Sequence, residues 1–136
     1  MKIKIKKLHP NAIVPKYAKP GDAGLDLTAI GIEVKGHYVT YHTGLAIEIP
    51  QGYVGLLFPR SSVYKTHQIL SNCVGVIDSG YRGEIMMKFT TTRDQYVIGN
   101  KIGQLIVMPY PQIEFEEVDQ LSVSERGTGG YGSTGS

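Results

Sequence analysis

From its first residues the chain alternates apolar and polar positions with a period of two. Ile3 and Ile5 stand between Lys2, Lys4 and Lys6, the pattern of a half-exposed β-strand. Lysines on an exposed edge discourage unwanted strand pairing, which accounts for them more simply than a nucleic-acid-binding arm. The same pattern predicts strands over Leu25–Ile30, Tyr38–Ile49, Tyr53–Phe58, Val74–Ile77, Glu84–Thr91, Lys101–Met108 and Ile113–Val118. Turn signals separate them at Gly36-His37, Pro50-Gln51-Gly52, Asp78-Ser79-Gly80, Arg93-Asp94, Gly99-Asn100 and Pro109-Tyr110-Pro111. Val74–Ile77 and Glu84–Phe89 are expected to pair as a hairpin. Seven prolines and 17 glycines rule out long helices, and only Ser62–Leu70 suits one or two helical turns. The pattern implies an all-β domain with one short helix, an antiparallel sandwich, jelly roll or small barrel. There is no internal repeat and no linker before residue 120. The expected core is residues 1–121, followed by a flexible, glycine-rich arm over residues 122–136.

Composition narrows the class of function. With 136 residues, 41% of them hydrophobic and 19% charged, the chain fits one soluble globular domain. A net charge of +2 is too small to argue for a nucleic-acid or anionic-membrane partner. No apolar run is long enough to span a bilayer, and the lysine-rich start has no long apolar segment behind it, so it is not a secretory signal. The single cysteine, Cys73, forbids an internal disulfide, excludes a cysteine-built zinc site and fits a reducing compartment such as the cytoplasm. His9, His37, His42 and His67 match no metal-ligand spacing and read as surface or satisfied histidines.

Five segments carry more chemistry than strands and turns require. In Pro20–Ala29, Asp22 and Gly24 serve a bend, but Asp26 lies between two leucines of a strand. A carboxylate there can hold a metal-bound water, since Mg²⁺ keeps several waters and takes few protein ligands. Arg60-Ser61-Ser62 offers a guanidinium fork, hydroxyls and N–H groups entering a short helix, which suits an anion but also fits a serine cap beside a surface arginine. Asn72–Glu84 is the strongest segment. Asp78 is placed where a strand ends, Asn72 can both donate to and accept from a base edge, and Tyr81 can press its ring against a sugar. Gln104 is the single amide in an apolar run and needs partners if buried. Finally, Arg126–Ser136 holds one arginine, one aromatic ring, hydroxyls and five glycines. It has too little apolar surface to order itself, yet its groups suit phosphate and a base.

These five segments, in this order and at these distances, resemble the five motifs of the homotrimeric deoxyuridine triphosphatases (dUTPases). The matching stretches are Ala23-Gly-Leu-Asp-Leu27, Arg60-Ser-Ser62 with Lys65 beyond, Gly75-Val-Ile-Asp-Ser-Gly-Tyr-Arg-Gly83, Gly103-Gln104 with the strand after it, and Arg126 through Gly135. The resemblance implies a β jelly roll, or distorted barrel, assembling as a homotrimer. Its active sites lie between subunits, with motifs one, two and four from one copy, the uracil-binding segment from a second and the arm from the third. The implied reaction is dUTP plus water giving dUMP and pyrophosphate, which limits uracil in DNA and supplies dUMP for dTMP synthesis. Asp78 would orient and activate the water that attacks the α-phosphorus. Mg²⁺ would clamp the phosphates and be held through a water on Asp26. Arg60, Ser61, Ser62 and Gln104 would bind phosphate oxygens, Arg126 would act as an arginine finger, and Ser133 and Thr134, next to Gly132, would hold the γ-phosphate.

Selectivity follows from the same resemblance. Gly75, Val76, Ile77 and Asp78 would bind uracil through their backbone, with the Asn72 amide and Met86 nearby. Cytosine, with its donor and acceptor pattern reversed, would leave buried groups unpaired. Tyr81 beneath the sugar would exclude a ribose 2′-hydroxyl, and Tyr131 would stack on the uracil. The departures are a serine at position 62 where the family often has glycine, a tyrosine at 131 where it often has phenylalanine, and Gly80 where relatives carry an acid. The end of the chain directly after motif five favours a bacterial, phage or viral enzyme, acting in the cytoplasm or host interior. A related trimeric dCTP deaminase would need a glutamate base and its own arginine, and Asp78 argues against it. A dUTPase-like regulator-binding protein and a plain β-sandwich module are the readings from other classes.

Overall fold

A computed structural model describes residues 1–91 and 95–135. Its strands are β1 (Lys4–Lys7), β2 (Leu25–Thr28), β3 (Gly31–Lys35), β4 (Tyr38–His42), β5 (Leu45–Glu48), β6 (Tyr53–Phe58), β7 (Gln68–Leu70), β8 (Gly75–Ile77), β9 (Met86–Thr91) and β10 (Lys101–Pro109). One 3-10 helix, Ser61–Thr66, lies between β6 and β7, so the chain is all-β with a minor helix. The strands form three sheets, a pair β1-β5 and two four-stranded sheets in the orders β2-β10-β6-β8 and β3-β4-β9-β7. Every pairing is antiparallel.

The alternation read from the sequence becomes packing in register. Val39 and Tyr41 of β4 stand opposite Phe89 and Met87 of β9, and all four are buried. Leu57 of β6 and Leu105 of β10 form a similar buried pair in the other sheet. Such cross-strand apolar pairs hold a register firmly, because a slip of one residue would turn every one of them outward. With Leu27, Leu45, Ile49, Ile85 and Ile102 they form one core, each large side chain contributing roughly 1.5–3 kcal/mol by burial. At one end Tyr41, Phe89 and Tyr96 meet edge to face with ring centroids 5.5, 5.5 and 6.0 Å apart. The Tyr41 hydroxyl donates to Gln68 Oε1 at 2.6 Å and accepts from the Tyr96 N–H at 2.8 Å, which settles polar groups that would otherwise be costly there.

Several expectations are corrected. Tyr38–Ile49 is not one strand. It breaks at Thr43-Gly44, where Gly44 takes φ +67° and the Thr43 hydroxyl donates to Ile85 O at 2.6 Å. A Cβ on Gly44 would sit 2.5 Å from Ile30 Cδ1, so only glycine turns this corner, and β4 and β5 go to different sheets. The helical stretch is shorter than Ser62–Leu70. It stops at His67, in a left-handed conformation with φ 53°, and Gln68–Leu70 instead pairs with β9. A strand at Gly31–Lys35 was not foreseen. Val74–Ile77 and Glu84–Phe89 do not pair as a hairpin. β8 pairs with β6 and β9 with β4 and β7, so the chain crosses between sheets over 78–85. No strand forms over Ile113–Val118, where Ile113 and Phe115 are exposed, because an apolar alternation specifies a strand only where a surface pairs with it. The Arg93-Asp94 turn lies outside the described residues.

Candidate functional site

The crossing from β8 to β9 leaves an open cavity of about 430 Å³ between the two four-stranded sheets. Among the described residues β8 pairs with β6 alone and stands at the edge of its sheet, where a strand presents unpaired backbone groups. Asn72, Gly75, Val76, Ile77, Asp78, Tyr81 and Met86 all line the cavity. Thus the site residues expected from the third segment are brought together, although by two sheets rather than by a hairpin. Leu57, Leu70, Ser71, Glu84, Met87 and Lys88 complete the lining and were missed. Leu57 and Met87 look like ordinary core positions of their strands, and only their register across the gap reveals the second role.

The loop 78–85 is braced at every turn. The Tyr81 N–H donates to Asp78 O at 3.1 Å, which places the Asp78 carboxylate at the end of β8. The Tyr81 hydroxyl donates to Glu84 O at 2.8 Å. Its ring lies so close over Gly83 that a Cβ there would fall 2.6 Å from Tyr81 Cζ, which gives Gly83 a steric reason. The Arg82 guanidinium donates to Ser79 O at 2.7 Å and lies 3.4 Å from Glu48. On the other side of the cavity, the Cys73 N–H donates to Leu70 O at 2.9 Å, and Cys73 takes φ 63°, a tight turn that carries Asn72 to the rim.

Asp26, Arg60 and Gln104 form a second group at the junction of β2, β6 and β10. Gln104 stands opposite Asp26 on one side and Phe58 on the other. Its amide donates to Pro59 O at 3.2 Å, so its polar group is satisfied by the backbone immediately before Arg60. Gly24 leaves the space that the Gln104 side chain occupies. Asp26 Oδ2 accepts from Lys101 Nζ at 2.9 Å. Arg60 precedes the 3-10 helix in an extended conformation and makes no side-chain cap bond, with Ser61 and Ser62 inside the helix rather than capping it. Behind this helix, burial holds the Tyr96 phenol above its ordinary value, while Arg60 and Thr66 act the other way. Burial likewise raises Tyr41.

The third group is the arm. Arg126 Nε donates to Gly129 O at 2.7 Å and the Gly129 N–H returns a bond to Arg126 O at 3.1 Å. Tyr131 is fully exposed with φ 53°, and Gly132, Ser133 and Thr134 follow in successive turns. Among the described residues the hydrogen bonds of this segment stay within 124–135. The structure therefore does not bring Arg126, Tyr131, Gly132, Ser133 and Thr134 to the cavity of their own chain. Nor do Asp26, Arg60, Ser61, Ser62 and Gln104 line it.

Among the described residues there is no group of three acidic, histidine or cysteine side chains able to hold a metal ion. The single Asp26 carboxylate beside the Gln104 amide fits an outer-shell hold on hydrated Mg²⁺, which takes one or two carboxylates plus phosphates, in competition with the Lys101 ammonium. Among the described residues no helix is long and apolar enough to cross a membrane.

Comparison with known proteins places the chain. A family model described as dUTPase matches residues 10–135. A deoxyuridine 5′-triphosphate nucleotidohydrolase of Gloeothece citriformis is 43% identical over 146 residues, covering 99% of this chain and 97% of the relative. One from Thermobifida fusca is 39% identical over 142 residues, covering 99% and 79%. Among solved structures, the Staphylococcus bacteriophage 80alpha dUTPase with dUpNHpp superimposes with a TM-score of 0.86 at 28% identity, covering 99% of both chains.

Proposed function

Because this chain belongs to the dUTPase family, we propose that it hydrolyses dUTP to dUMP and pyrophosphate in sites shared by three copies of a jelly-roll subunit. The observation that carries this reading is the separation of the three polar groups. One chain holds a cavity of about 430 Å³ with a carboxylate at its rim, a cationic and amide cluster elsewhere, and an arm whose hydrogen bonds among the described residues stay within 124–135, which supports a triphosphate site completed by other copies. The trimer has further support in the exposed segment Ile113–Val123. It carries Ile113, Phe115, Val118, Leu121 and Val123 in contact with solvent beside Glu114, Glu116, Glu117 and Asp119. An acidic, apolar stretch of this kind suits the lysine-flanked edge of β1 on another copy, where Ile3 and Ile5 border an apolar groove with Val14, Leu25, Ile47 and Val107.

Family membership and the placement of these residues support the following roles. The free backbone edge of β8 at Gly75, Val76 and Ile77, with the Asn72 amide, reads the uracil, and Met86 closes the cavity floor. Tyr81 lies under the sugar and excludes a 2′-hydroxyl. The Asp78 carboxylate accepts a proton from the attacking water while its oxygen bonds to the α-phosphorus. The bond from that phosphorus to the α,β-bridging oxygen breaks, and pyrophosphate leaves with the electron pair. Arg60, Ser61, Ser62 and Gln104 of a second copy bind phosphate oxygens. Arg126 of the third places positive charge where negative charge develops, with Tyr131 over the base and Gly132, Ser133 and Thr134 at the γ-phosphate. Mg²⁺, held through water on Asp26, would supply charge neutralisation and a fixed triphosphate shape. The core spans 1–121 and the arm 122–136, and the enzyme works in the cytoplasm, keeping uracil out of DNA and yielding dUMP.

Sedimentation of the purified protein together with pyrophosphate release from dUTP, dCTP, dTTP and UTP, with and without Mg²⁺, tests the whole. A trimer selective for dUTP is expected. A monomer that leaves dUTP intact, or release of ammonia from dCTP, overturns the proposal.

A further inference from the structure

We infer that His42, which does not line the cavity, is a positioning residue for sugar selection, acting through Glu84 on the Tyr81 ring. The inference rests on the reading of the cavity as a deoxynucleoside site and goes beyond it in naming what holds that site in shape.

His42 ends β4, in the sheet that lies across the core from β8. Its Nδ1 lies 3.1 Å from Glu84 Oε1 and 3.2 Å from Oε2. An ionised carboxylate only accepts, so Nδ1 carries the proton and donates. Glu84 Oε2 also accepts the Gly44 N–H at 3.0 Å. Glu84 is thus tied by its side chain to the β4–β5 corner in a partly buried setting, where a charge-assisted bond is about twice as strong as a neutral one. Beyond it, the Ile85 N–H donates to Leu45 O at 2.8 Å and Ile85 O accepts from Thr43 at 2.6 Å. The Glu84 carbonyl and the Ile85 N–H belong to one planar peptide, so the bond to Leu45 O holds its nitrogen end while the side-chain tie holds the Glu84 Cα at its carbonyl end.

That peptide is the one that holds Tyr81. The Tyr81 hydroxyl donates to Glu84 O at 2.8 Å, while the other end of the residue is fixed by its N–H on Asp78 O. A ring pinned at both ends cannot tilt, and a ring that cannot tilt rejects an added hydroxyl sterically. If the Glu84 Cα shifts once that tie is lost, the plane tilts, the hydroxyl tether lengthens and the ring can yield to a ribose. His42 faces other charges as well. Its Nε2 lies 3.7 Å from Glu33 Oε2, and Glu33 pairs with Lys35 at 3.2 Å, but these are more exposed and lead away from the cavity. Across the strands His42 stands opposite Gly31 and Met86, and its side-chain bonds to the loop run through Glu84.

The test is a double-mutant cycle read as selectivity. Affinity for dUMP and for UMP is measured by calorimetry, and kcat/KM for dUTP and UTP by pyrophosphate release, for the parent, His42→Ala, Tyr81→Phe and the double variant. Either single change is expected to lower the deoxyribose preference by about tenfold, at the low end of what one pocket contact contributes, and His42→Ala, which is outside the cavity lining, should nearly keep kcat on dUTP. In the Tyr81→Phe background, which has no tether to lose, His42→Ala should add almost nothing, a non-additivity expected only of groups acting in series. His42→Asn, which keeps a donor near the Nδ1 position, should restore the preference, and Glu33→Gln should leave it at the parent value. An unchanged preference in His42→Ala, or an equal loss in both backgrounds, overturns the inference. Should His42→Ala fail to fold, Glu84→Gln takes its place in the same cycle. A parent protein that does not prefer dUTP overturns the functional reading itself, a result visible before any variant is made.

Discussion

The cavity between the sheets and the polar cluster on β2, β6 and β10 are assembled in contrasting ways. The cavity takes Asn72, Gly75, Val76, Ile77, Asp78, Tyr81 and Met86 from one short stretch of chain, and backbone bonds hold them with groups still turned to the opening. The cluster takes Asp26, Arg60 and Gln104 from distant parts of the sequence, and two of its members already have partners. Asp26 is on Lys101 and Gln104 on Pro59 O, while the arm's Arg126 is on Gly129 O. If these are the nucleoside and triphosphate halves of the proposed shared site, the first can bind without rearrangement, while the second must exchange internal partners for substrate ones and is complete only when other copies and the arm arrive. Recognition would then be separated from commitment, with the costly rearrangement following the selective step.

The contrast can be broken at the arm first. Deleting residues 126–136 is expected to lower kcat on dUTP by about 10³-fold or more, as removal of an arginine finger does, while calorimetry still detects dUMP binding and sedimentation the trimer. Full activity in the truncated form removes the arm from the site. Asp78→Asn cuts between the halves. Turnover should fall by roughly 10²–10⁴-fold, the range for loss of a general base, with dUMP affinity retained, and normal turnover would disqualify Asp78 as the water activator. Asp26→Asn sharpens the triphosphate half. The Mg²⁺ concentration for half-maximal activity should rise by about tenfold, at the low end for an outer-shell partner, whereas dUMP binding without metal should not change. A shift in dUMP affinity instead would place Asp26 in the nucleoside half.

The smallest effect concerns the aromatic cluster behind Arg60. Burial raises the Tyr41 and Tyr96 phenols in the folded state above their unfolded value of about 10. The folded form therefore holds these protons more tightly than the unfolded one. Their contribution to stability is complete below pH of about 10 and is lost as pH rises through the higher folded values. Ultraviolet titration should find two tyrosines ionising late and together with unfolding. Early ionisation of all nine tyrosines in a folded protein would contradict that burial.

Legibility in the sequence followed locality. The period-two runs located most strands, and the stretch 72–86 was legible as one group because its residues lie close in sequence and line a single cavity. Gln104 was legible as the single amide in an apolar run, but its bond to Pro59 O was not. His42 was read as a surface or satisfied histidine, and nothing near it in sequence pointed to Glu84, since 42 positions separate them. Leu57 and Met87 were legible only as core. The strand expected over Ile113–Val118 marks the opposite case, in which a correct apolar alternation lacks the surface that would make it a strand.

The residues alone determined the all-β class, the alternation of faces and the five chemical segments with their order and spacing, because each depends on neighbours a few positions apart. Tertiary structure decided which strands pair, that β8 and β9 belong to separate sheets, and that the space between them is a cavity. The physical reason is that side-chain alternation tells a strand which face to bury but not which backbone to join. That choice is made by how Gly44 turns, how Tyr41 and Phe89 pack, and which distant edge has its hydrogen bonds free.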